Sequence, residues 1–499
     1  MANFRNKLEY FLRDKYHLVF LGVLLIAFII RLYYFINTYN QPLWWDEAEY
    51  GSMAKNILYG IPYDFNPQRP ILFPLLISLF LWMGESVAKF FVVFLPSLGV
   101  VILTYLLGKE LYDKKIGLIA SFIMSVFWIL LFNGTRLHAD VLGLFLSLLG
   151  VYLFWKGYIL RKSAKLIGLG LFFMSMAFMI KVNSILAPLV VLIFLIITEK
   201  LDFLKKKILW KSSVWFILPL IPYFIYNYFK FGTPLSFIAG YVDAGSLSAK
   251  FSSSFNWSIF GFLYNYTFLI LFVLFLIGVL FVLLNLILGF DLVYKDRNPK
   301  LMSDLFSVLS ILIVMSYFIF IERWNAEPRW LIFMAPFMFF IIGRGIVDIG
   351  KFFRNFDKRI FYAIVIIILL IGGYVQLNYS NDMINAKKDS YGPVKLAGLW
   401  IKENSVKGDI ILSKSATQIP YYSERETYGI ESNEERFKEQ IKDLKPKYLM
   451  VSVFEQHSQE LLNSLDNIQS HLEVVNAYFM DSEGKQPVLI VYKFKDYDF

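Results

Sequence analysis

Long apolar runs, separated by short polar segments, dominate the chain up to about residue 380. A helix needs about 18 apolar residues, or somewhat fewer where polar flanks are tolerated, to cross the hydrocarbon core of a bilayer. Eleven stretches fit this pattern and predict transmembrane helices. They are 17–38, 88–107, 116–132, 140–158, 166–181, 184–198, 212–229, 261–289, 301–321, 330–348 and 360–377.

A twelfth apolar segment, 71–83, is short and lies between Pro70 and Gly84. If it does not cross and the N-terminus is cytoplasmic, about 24 Lys and Arg fall in inside loops and about eight in outside loops, as the positive-inside rule requires. A full crossing would move most of these clusters outside. We therefore expect a juxtamembrane or re-entrant helix at 71–83 and an outer loop over 39–87.

After residue 380 the chain becomes polar, and helical patterns alternate with short β-rich runs. Helices are predicted near 394–403, 434–444 and 456–465, and strands over 409–412, 448–453 and 488–494. This alternation is typical of a small α/β domain. The expected organisation is a transmembrane domain, 1–380, and a soluble extracytoplasmic domain, 381–499.

Composition agrees with a polytopic α-helical membrane protein. The chain is 57% hydrophobic and 18% charged, against about 25% charged residues in soluble domains. Its net charge of +10 includes no basic run interleaved with aromatics, so no nucleic acid partner is expected. The absence of cysteine excludes disulfides, thiolate catalysis and Cys-ligated metals. No cleavage site follows the first span, which is therefore predicted to be uncleaved.

Acidic and aromatic residues are concentrated just after the first span, over 44–51. Asp46 and Glu47 precede a helical pattern over 48–59, and Tyr50 lies in the same stretch. A carboxylate at a helix start stays ionised, which suits a general base or a metal ligand. The alternatives are a helix cap at Asp46 and a solvated interfacial loop.

A second acidic group opens the span at 140–158. Arg136, His138 and Asp140 lie in the short outer loop before it. Two acidic sites on the same face would let one act as base while the other orients an acceptor or a metal. Alternatively, Asp140 caps its helix and His138 is merely solvated.

Basic residues also collect on the predicted outer face. Lys181 ends its span there and is a natural clamp for a lipid phosphate, with snorkelling as the alternative. Arg329, beside Glu327, begins another span, and its fork matches phosphate oxygens, with interfacial anchoring as the alternative. Arg69 and Asn227 complete the candidates, Asn227 with a purely structural turn as its alternative. No phosphate-binding glycine loop is visible, which argues against an ATP-driven pump.

The motifs, taken in their order along the chain, resemble those of the membrane-embedded GT-C glycosyltransferases. The similarity is greatest to the protein O-mannosyltransferases and aminoarabinose lipid A transferases. It rests on short motifs between about residues 15 and 350. These are Asp46-Glu47, 54–63 with 69–74, 136–140, 168–181 and 327–330.

The resemblance implies a polyprenyl- or dolichyl-phosphate sugar donor and an inverting transfer at the outer face of the cell membrane. By position, Asp46 is similar to the catalytic base, with Glu47 beside it, and Asp140 to the second acidic site. Lys181 is similar to the residue that holds the donor phosphate, and Arg329 and Arg69 are further phosphate contacts. Tyr50, Arg136, His138, Asn227 and Glu327 are assigned to the donor or acceptor pocket.

Several alternatives stay open at this level. The acceptor is a lipid, a glycan or a protein, and the tail 381–499 does not resemble the β-trefoil insert of eukaryotic O-mannosyltransferases. No cofactor is assigned with certainty, and a divalent metal is left open. The competing functions are an oligosaccharyltransferase with a lipid-pyrophosphate donor and a lipid-sugar flippase or transporter. The latter usually shows repeated halves, which this sequence lacks.

Overall fold

The computed structural model describes residues 14–238, 254–322, 326–352, 358–455, 458–479 and 485–497. The chain divides into two compact units. The first contains Met1–Asn37, Asn66–Phe73 and Lys89–Ile384, and the second contains Thr38–Phe65, Pro74–Ala88 and Asn385–Phe499. The second unit therefore takes up most of the predicted outer loop as well as the polar tail. The functional division at residue 380 stays a prediction.

Within the described residues, nine helices are long and apolar enough to cross a membrane. They are Lys15–Thr38, Glu85–Leu111, Ala139–Leu160, Val182–Glu199, Lys207–Phe231, Trp257–Val293, Pro299–Ile321, Pro328–Lys351 and Arg359–Asn404. The predicted class, a polytopic α-helical membrane protein with a C-terminal α/β region, is confirmed. The basic residues Arg5, Lys7 and Arg13, which contributed to the orientation, lie outside the described residues.

The other predicted spans form shorter helices. The stretch 166–181 forms the 17-residue helix Ala164–Ile180, at the lower limit for crossing. The stretch 116–132 is divided into Lys114–Val126 and Trp128–Asn133 by extended backbone at Phe127. The 71–83 segment forms the helix Leu72–Leu81, whose ten residues extend about 15 Å, roughly half the hydrocarbon core.

A buried arginine in the first span satisfies the backbone where the helix breaks at Phe127. Arg31 is 3% exposed, and its Nη1 donates to the carbonyl of Ser125 at 2.8 Å. Its Nε donates to Ser97 Oγ at 2.8 Å. In a bilayer an irregular backbone must find such internal partners, because water is absent. Arg31 therefore has a structural role at this break.

A second break lies in the helix Phe260–Lys295, where Phe268 has non-helical backbone with φ 52° and ψ 178°. The buried amide of Gln376 compensates for it. Its Nε2 donates to the carbonyl of Tyr266 at 2.7 Å, and its Oε1 accepts from the backbone N–H of Trp128 at 3.1 Å. One side chain thus joins both broken helices.

The second unit contains a mixed five-stranded sheet. Its strands are β1 (Ile410–Ser413), β2 (Glu426–Tyr428), β3 (Tyr448–Ser452), β4 (Leu472–Phe479) and β5 (Pro487–Phe494). Their spatial order is β2-β1-β3-β5-β4, with β1 parallel to β2 and β3, and β5 antiparallel to β3 and β4. The sequence did not predict β2 and β4.

Side chains alternate between the two faces of this sheet, so that each face has its own core. Ile411 packs with the helix Gly392–Asn404, whereas the next residue, Leu412, packs with Glu434–Leu444. This period of two is the geometry of a strand buried on both faces. The helices Gln418–Ser423 and Gln459–Asn467 complete the layers.

Candidate active site

The helix that carries Asp46 runs from Trp45 to Tyr59 in the second unit. Trp44 occupies the N-cap position, and its backbone N–H donates to Glu47 Oε2 at 2.6 Å. Gly60, with φ 67°, ends the helix in the left-handed conformation. Asp46 is thus the second helical residue and not its cap. The capping interpretation of Asp46 is wrong, because Glu47 makes the capping contact.

Burial separates these acidic residues. Glu47 is fully buried and Tyr50 is 5% exposed, whereas Asp46 is half-buried at the positive end of the helix dipole. Intermediate burial leaves part of Asp46 accessible. The geometry therefore suits Asp46 for proton transfer and gives Glu47 a structural contact.

Two adjacent tyrosines of the polar tail hold this helix within the second unit. Tyr422 OH accepts from the backbone N–H of Leu43 at 2.7 Å, and Tyr421 OH donates to Glu85 Oε2 at 2.8 Å. The Tyr421 ring lies against Gly51, where a Cβ would come within 2.6 Å of it. Sequence reasoning missed these contacts, since Tyr421-Tyr422 has no periodic pattern to mark it.

An ion pair reinforces this contact. Lys55 Nζ donates to Glu424 Oε1 at 2.9 Å, and Lys402 Nζ lies 2.7 Å from the same oxygen. Burial raises the pKa of the Glu424 carboxyl, but hydrogen bonds from Lys402 and Lys55 lower it by more, so this pKa lies below its ordinary value.

A carboxylate and two cations form a cluster in the first unit. Asp140 is the second residue of the helix Ala139–Trp155, whose N-cap is His138, so the capping interpretation of Asp140 is also wrong. Its side chain is 3% exposed, and Oδ1 accepts a hydrogen bond from Lys181 Nζ. Arg329 Nη1 lies 3.8 Å from Oδ2. Three predicted site residues, from three separate segments, therefore meet.

The positions of both cations follow from local structure. Lys181 is the C-cap of Ala164–Ile180 and has extended backbone. Arg329 lies on the 3₁₀ helix Pro328–Met334, and its Nε donates to Glu327 Oε2 at 2.6 Å. Buried Tyr266 holds the start of that helix, because its hydroxyl donates to the carbonyl of Pro328 at 2.5 Å. Tyr266 was missed, since a lone tyrosine in an apolar span is a weak signal.

The remaining candidates take varied positions. Arg136 is 1% exposed with its guanidinium 5.6 Å from the Phe132 ring, and His138 Nδ1 lies 3.0 Å from Asn133 Oδ1. Arg69 is half-buried in a turn. Asn227 is buried, and its Nδ2 donates to the carbonyl of Pro234 at 3.2 Å, a contact that stabilises the turn after its helix.

The cluster combines two carboxylates with two cations. Asp140 and Glu327 balance the charges of Lys181 and Arg329, so a bound anion would compete with both carboxylates for these cations. Among the residues that the structure describes, no three His, Asp or Glu side chains converge as they would on a metal ion. Preorganised cations of this kind stabilise negative charge that develops during a reaction.

Part of the chain matches a known protein family. Residues 68–226, which include Asp140 and Lys181, match the family described as dolichyl-phosphate-mannose-protein mannosyltransferase. None of the curated protein sequences matches the chain. The fold is similar to that of ArnT from Cupriavidus metallidurans bound to undecaprenyl phosphate, with a TM-score of 0.65 and 10% identity over 95% of this chain and 97% of that chain.

Two other solved structures are similar. The apo oligosaccharyltransferase of Archaeoglobus fulgidus has a TM-score of 0.63 and 12% identity over 87% of this chain and 69% of that chain. The arabinofuranosyltransferase AftD from Mycobacteria has a TM-score of 0.58 and 11% identity over 96% of this chain and 40% of that chain. The chain has the GT-C fold.

The GT-C fold and the family match confirm the resemblance that the sequence indicated. They also confirm the predicted enzyme class, a multi-pass membrane glycosyltransferase. The roles of the individual site residues stay predictions.

Proposed function

We propose that this GT-C protein transfers a sugar from a polyprenyl- or dolichyl-phosphate donor to an acceptor at the outer face of the cell membrane, with inversion. The observation that carries the proposal is the contact of Lys181 and Arg329 with the buried carboxylate of Asp140. This contact holds two cations in fixed positions at one end of a bundle of apolar helices.

The two cations fit the phosphate of such a donor. A sugar linked through a phosphodiester carries one negative charge, and the lipid phosphate gains a second when the bond between sugar and phosphate breaks. Lys181 and Arg329 would stabilise that developing charge, so that the leaving group needs no acid. Asp140 would orient both cations. When the donor binds, its phosphate would replace Asp140 as the acceptor of some of their hydrogen bonds. Arg69 is a further proposed phosphate contact.

The acceptor needs a base, and we assign that role to Asp46. Its carboxylate would take the proton of an acceptor hydroxyl while the hydroxyl oxygen attacks the anomeric carbon. The bond between this oxygen and the sugar forms as the bond to the phosphate oxygen breaks, and the electron pair leaves with the lipid phosphate. One displacement inverts the anomeric configuration. Tyr50, Arg136, His138 and Glu327 are proposed to line the donor or acceptor pocket.

The competing GT-C reaction is oligosaccharyl transfer from a lipid pyrophosphate. The similarity to the Archaeoglobus fulgidus oligosaccharyltransferase favours it, and one structure of that enzyme contains a dolichol-phosphate and an inhibitory peptide. The match to ArnT covers nearly the full length of both chains, and that protein was solved with undecaprenyl phosphate. The agreement in length between this chain and ArnT supports a lipid monophosphate as the product. We therefore favour a lipid-monophosphate sugar donor.

The proposed orientation follows from the basic loops. The N-terminus would be cytoplasmic, and the α/β domain, 381–499, would lie outside the cell membrane, where it would contact a lipid, glycan or protein acceptor. Residues 1–380 would form the glycosyltransferase domain.

The test uses the full-length protein in vesicles with a panel of labelled polyprenyl-phosphate sugars. Wild type should consume one donor, whereas Asp46→Asn should bind that donor without turnover. Asp64→Asn, which changes an exposed aspartate of the same loop, is the matched control and should behave as wild type. Turnover by Asp46→Asn at the wild-type rate would exclude the base role. Failure of wild type to bind any donor would exclude the donor class.

A further inference from the structure

Four helices of the first unit enclose a groove of about 860 Å³ that the transfer reaction does not use. The helix Lys15–Thr38 contributes Lys15, Val19 and Val23, spaced by four residues along one face. The helix Lys114–Val126 contributes a similar stripe, which begins at Lys115 and ends at Phe122. In both helices the stripe starts with a lysine and continues with apolar residues.

One of the other two helices contributes a third lysine, and the last contributes no charged residue. Near its end, Ala335–Phe352 contributes Ile346, Gly350 and Lys351. The helix Lys358–Lys387 contributes apolar residues from Phe361 to Leu370. Gly350 allows the close approach of this last helix, since a Cβ there would lie 2.6 Å from the Phe361 ring. The groove is therefore charged at one end and apolar along its length.

Its dimensions match one leaflet of a bilayer. Eight residues separate Lys15 from Val23, which is about 12 Å of helix, and half of the hydrocarbon core measures about 15 Å. Several lining side chains, such as Val19 and Ile366, are exposed on the lipid-facing surface of the bundle. An acyl chain could thus enter from the side, with its headgroup at the three lysines.

The charge at the groove entrance indicates which headgroup fits. Lys15, Lys115 and Lys351 line this end, and Asp348 accepts from Lys351 Nζ at 2.9 Å and also pairs with Arg344 at 2.7 Å. Among the residues that the structure describes, every charged side chain that lines the groove is a lysine. A lysine near the membrane surface attracts an anionic lipid, whereas a zwitterionic headgroup brings its own amine and gains less.

We propose that this groove binds a phospholipid with an anionic headgroup as a resident lipid. Its phosphate would lie among Lys15, Lys115 and Lys351, and its acyl chain would follow the apolar stripes. The chain passes from Lys115 through the segment 116–132 before it reaches Asp140, so this site lies at the other end of the bundle from the cluster of Lys181 and Arg329. In the proposed orientation it faces the cytoplasmic leaflet.

The test incubates the full-length protein with vesicles of equal phosphatidylglycerol and phosphatidylcholine, then identifies retained lipids by native mass spectrometry. Wild type should retain phosphatidylglycerol preferentially. Lys15→Gln with Lys115→Gln should lower that preference roughly fivefold for each lysine removed. Lys205→Gln with Lys207→Gln removes two lysines from another basic loop, and should retain the wild-type preference.

A second variant tests the apolar part of the groove. Val19→Trp places a large ring in it and should reduce retention of phosphatidylglycerol without altering the lysines. Equal retention of both lipids by wild type would overturn the proposal. So would an unchanged preference in the Lys15→Gln, Lys115→Gln protein, which keeps the apolar packing intact and remains informative if Val19→Trp does not fold.

Discussion

Lys181, which ends one helix, donates a hydrogen bond to Asp140, which lies in the first turn of another helix 41 residues earlier in the chain. Gly143, one turn after Asp140, permits this approach. A Cβ at Gly143 would lie 3.0 Å from Ser184 Oγ and 3.6 Å from Lys181 Cβ. Three features therefore bring the pair together. Asp140 lies at the start of its helix, Lys181 lies at the end of its helix, and Gly143 has no side chain between them.

Lys181→Met should lower the free energy of unfolding by roughly 3 kcal/mol, because it leaves the buried carboxylate of Asp140 without its main partner. Adding Asp140→Asn should recover most of that loss, since no buried charge then lacks its partner. Activity should stay low in the double variant, because a cation for the donor phosphate is still missing. Thermal unfolding and donor turnover measured in parallel separate these effects.

The control for this cycle is Lys181→Arg, which keeps the charge and should retain measurable turnover. If the double variant regained both stability and turnover, Lys181 would act only as a structural partner of Asp140. The proposed phosphate site would then lose its principal residue.

Glu47→Ala should destabilise the protein by about 1 kcal/mol, because the backbone N–H of Trp44 loses its capping acceptor. Its kcat per folded molecule should change much less than that of Asp46→Asn. Turnover normalised to the folded fraction is the relevant measurement. A loss in normalised kcat as large as that of Asp46→Asn would instead assign Glu47 to the chemistry, as the sequence first indicated.

Gly51→Val should disturb the contact between the helix of Asp46 and the tail, because its Cβ would collide with the Tyr421 ring. We expect faster proteolysis within 385–499 and a lower kcat. Tyr421→Ala in the same chain should relieve the collision and slow proteolysis again. The control is Gly392→Ala, whose added methyl group would meet no atom within 4 Å, and it should leave both readings unchanged. Unaltered proteolysis in Gly51→Val would contradict this contact.

Acid should weaken the second unit through Glu424. Its pKa in the folded protein lies below the ordinary value of 4.5, so its ion pairs contribute stability above that pH and lose it as the pH falls through the folded pKa. The unfolding midpoint of wild type should therefore drop as the pH is lowered from about 5 to about 3, and Glu424→Gln should flatten this dependence. The control Glu439→Gln, at a position outside this ion pair, should leave the pH dependence as it is in the wild type. An equal slope in all three proteins would remove Glu424 as the cause.

Most of the fold could be predicted because long apolar segments have few alternatives in a bilayer. The breaks at Phe127 and Phe268 could not be predicted, since each lies inside a stretch that is apolar enough overall to form one continuous span. Their signals were the polar partners, Arg31 and Gln376, which are unusual inside spans. Strand β2 has three residues and β4 contains register shifts, so neither presents a regular alternation.

The candidate site was predictable to the extent that topology alone brings residues together. Asp140, Lys181 and Arg329 all lie at span ends that the charge rule assigns to one face, and the structure joins them. The capping role of Glu47 was not recognised because the N-cap position is Trp44 and not Ser or Thr, the residues that mark a capping box in a sequence. The contacts of Tyr421 and Tyr422 join residues more than 300 positions apart, and sequence patterns are local.

The most direct test of the central claim is the identity of the lipid product. Full-length protein in vesicles is given its polyprenyl-phosphate sugar and an acceptor, and the lipids are analysed by mass spectrometry. We predict that polyprenyl phosphate appears in proportion to the sugar transferred, with the glycosidic configuration inverted. Polyprenyl pyrophosphate as the product, or intact donor moved across the bilayer without cleavage, would contradict this claim.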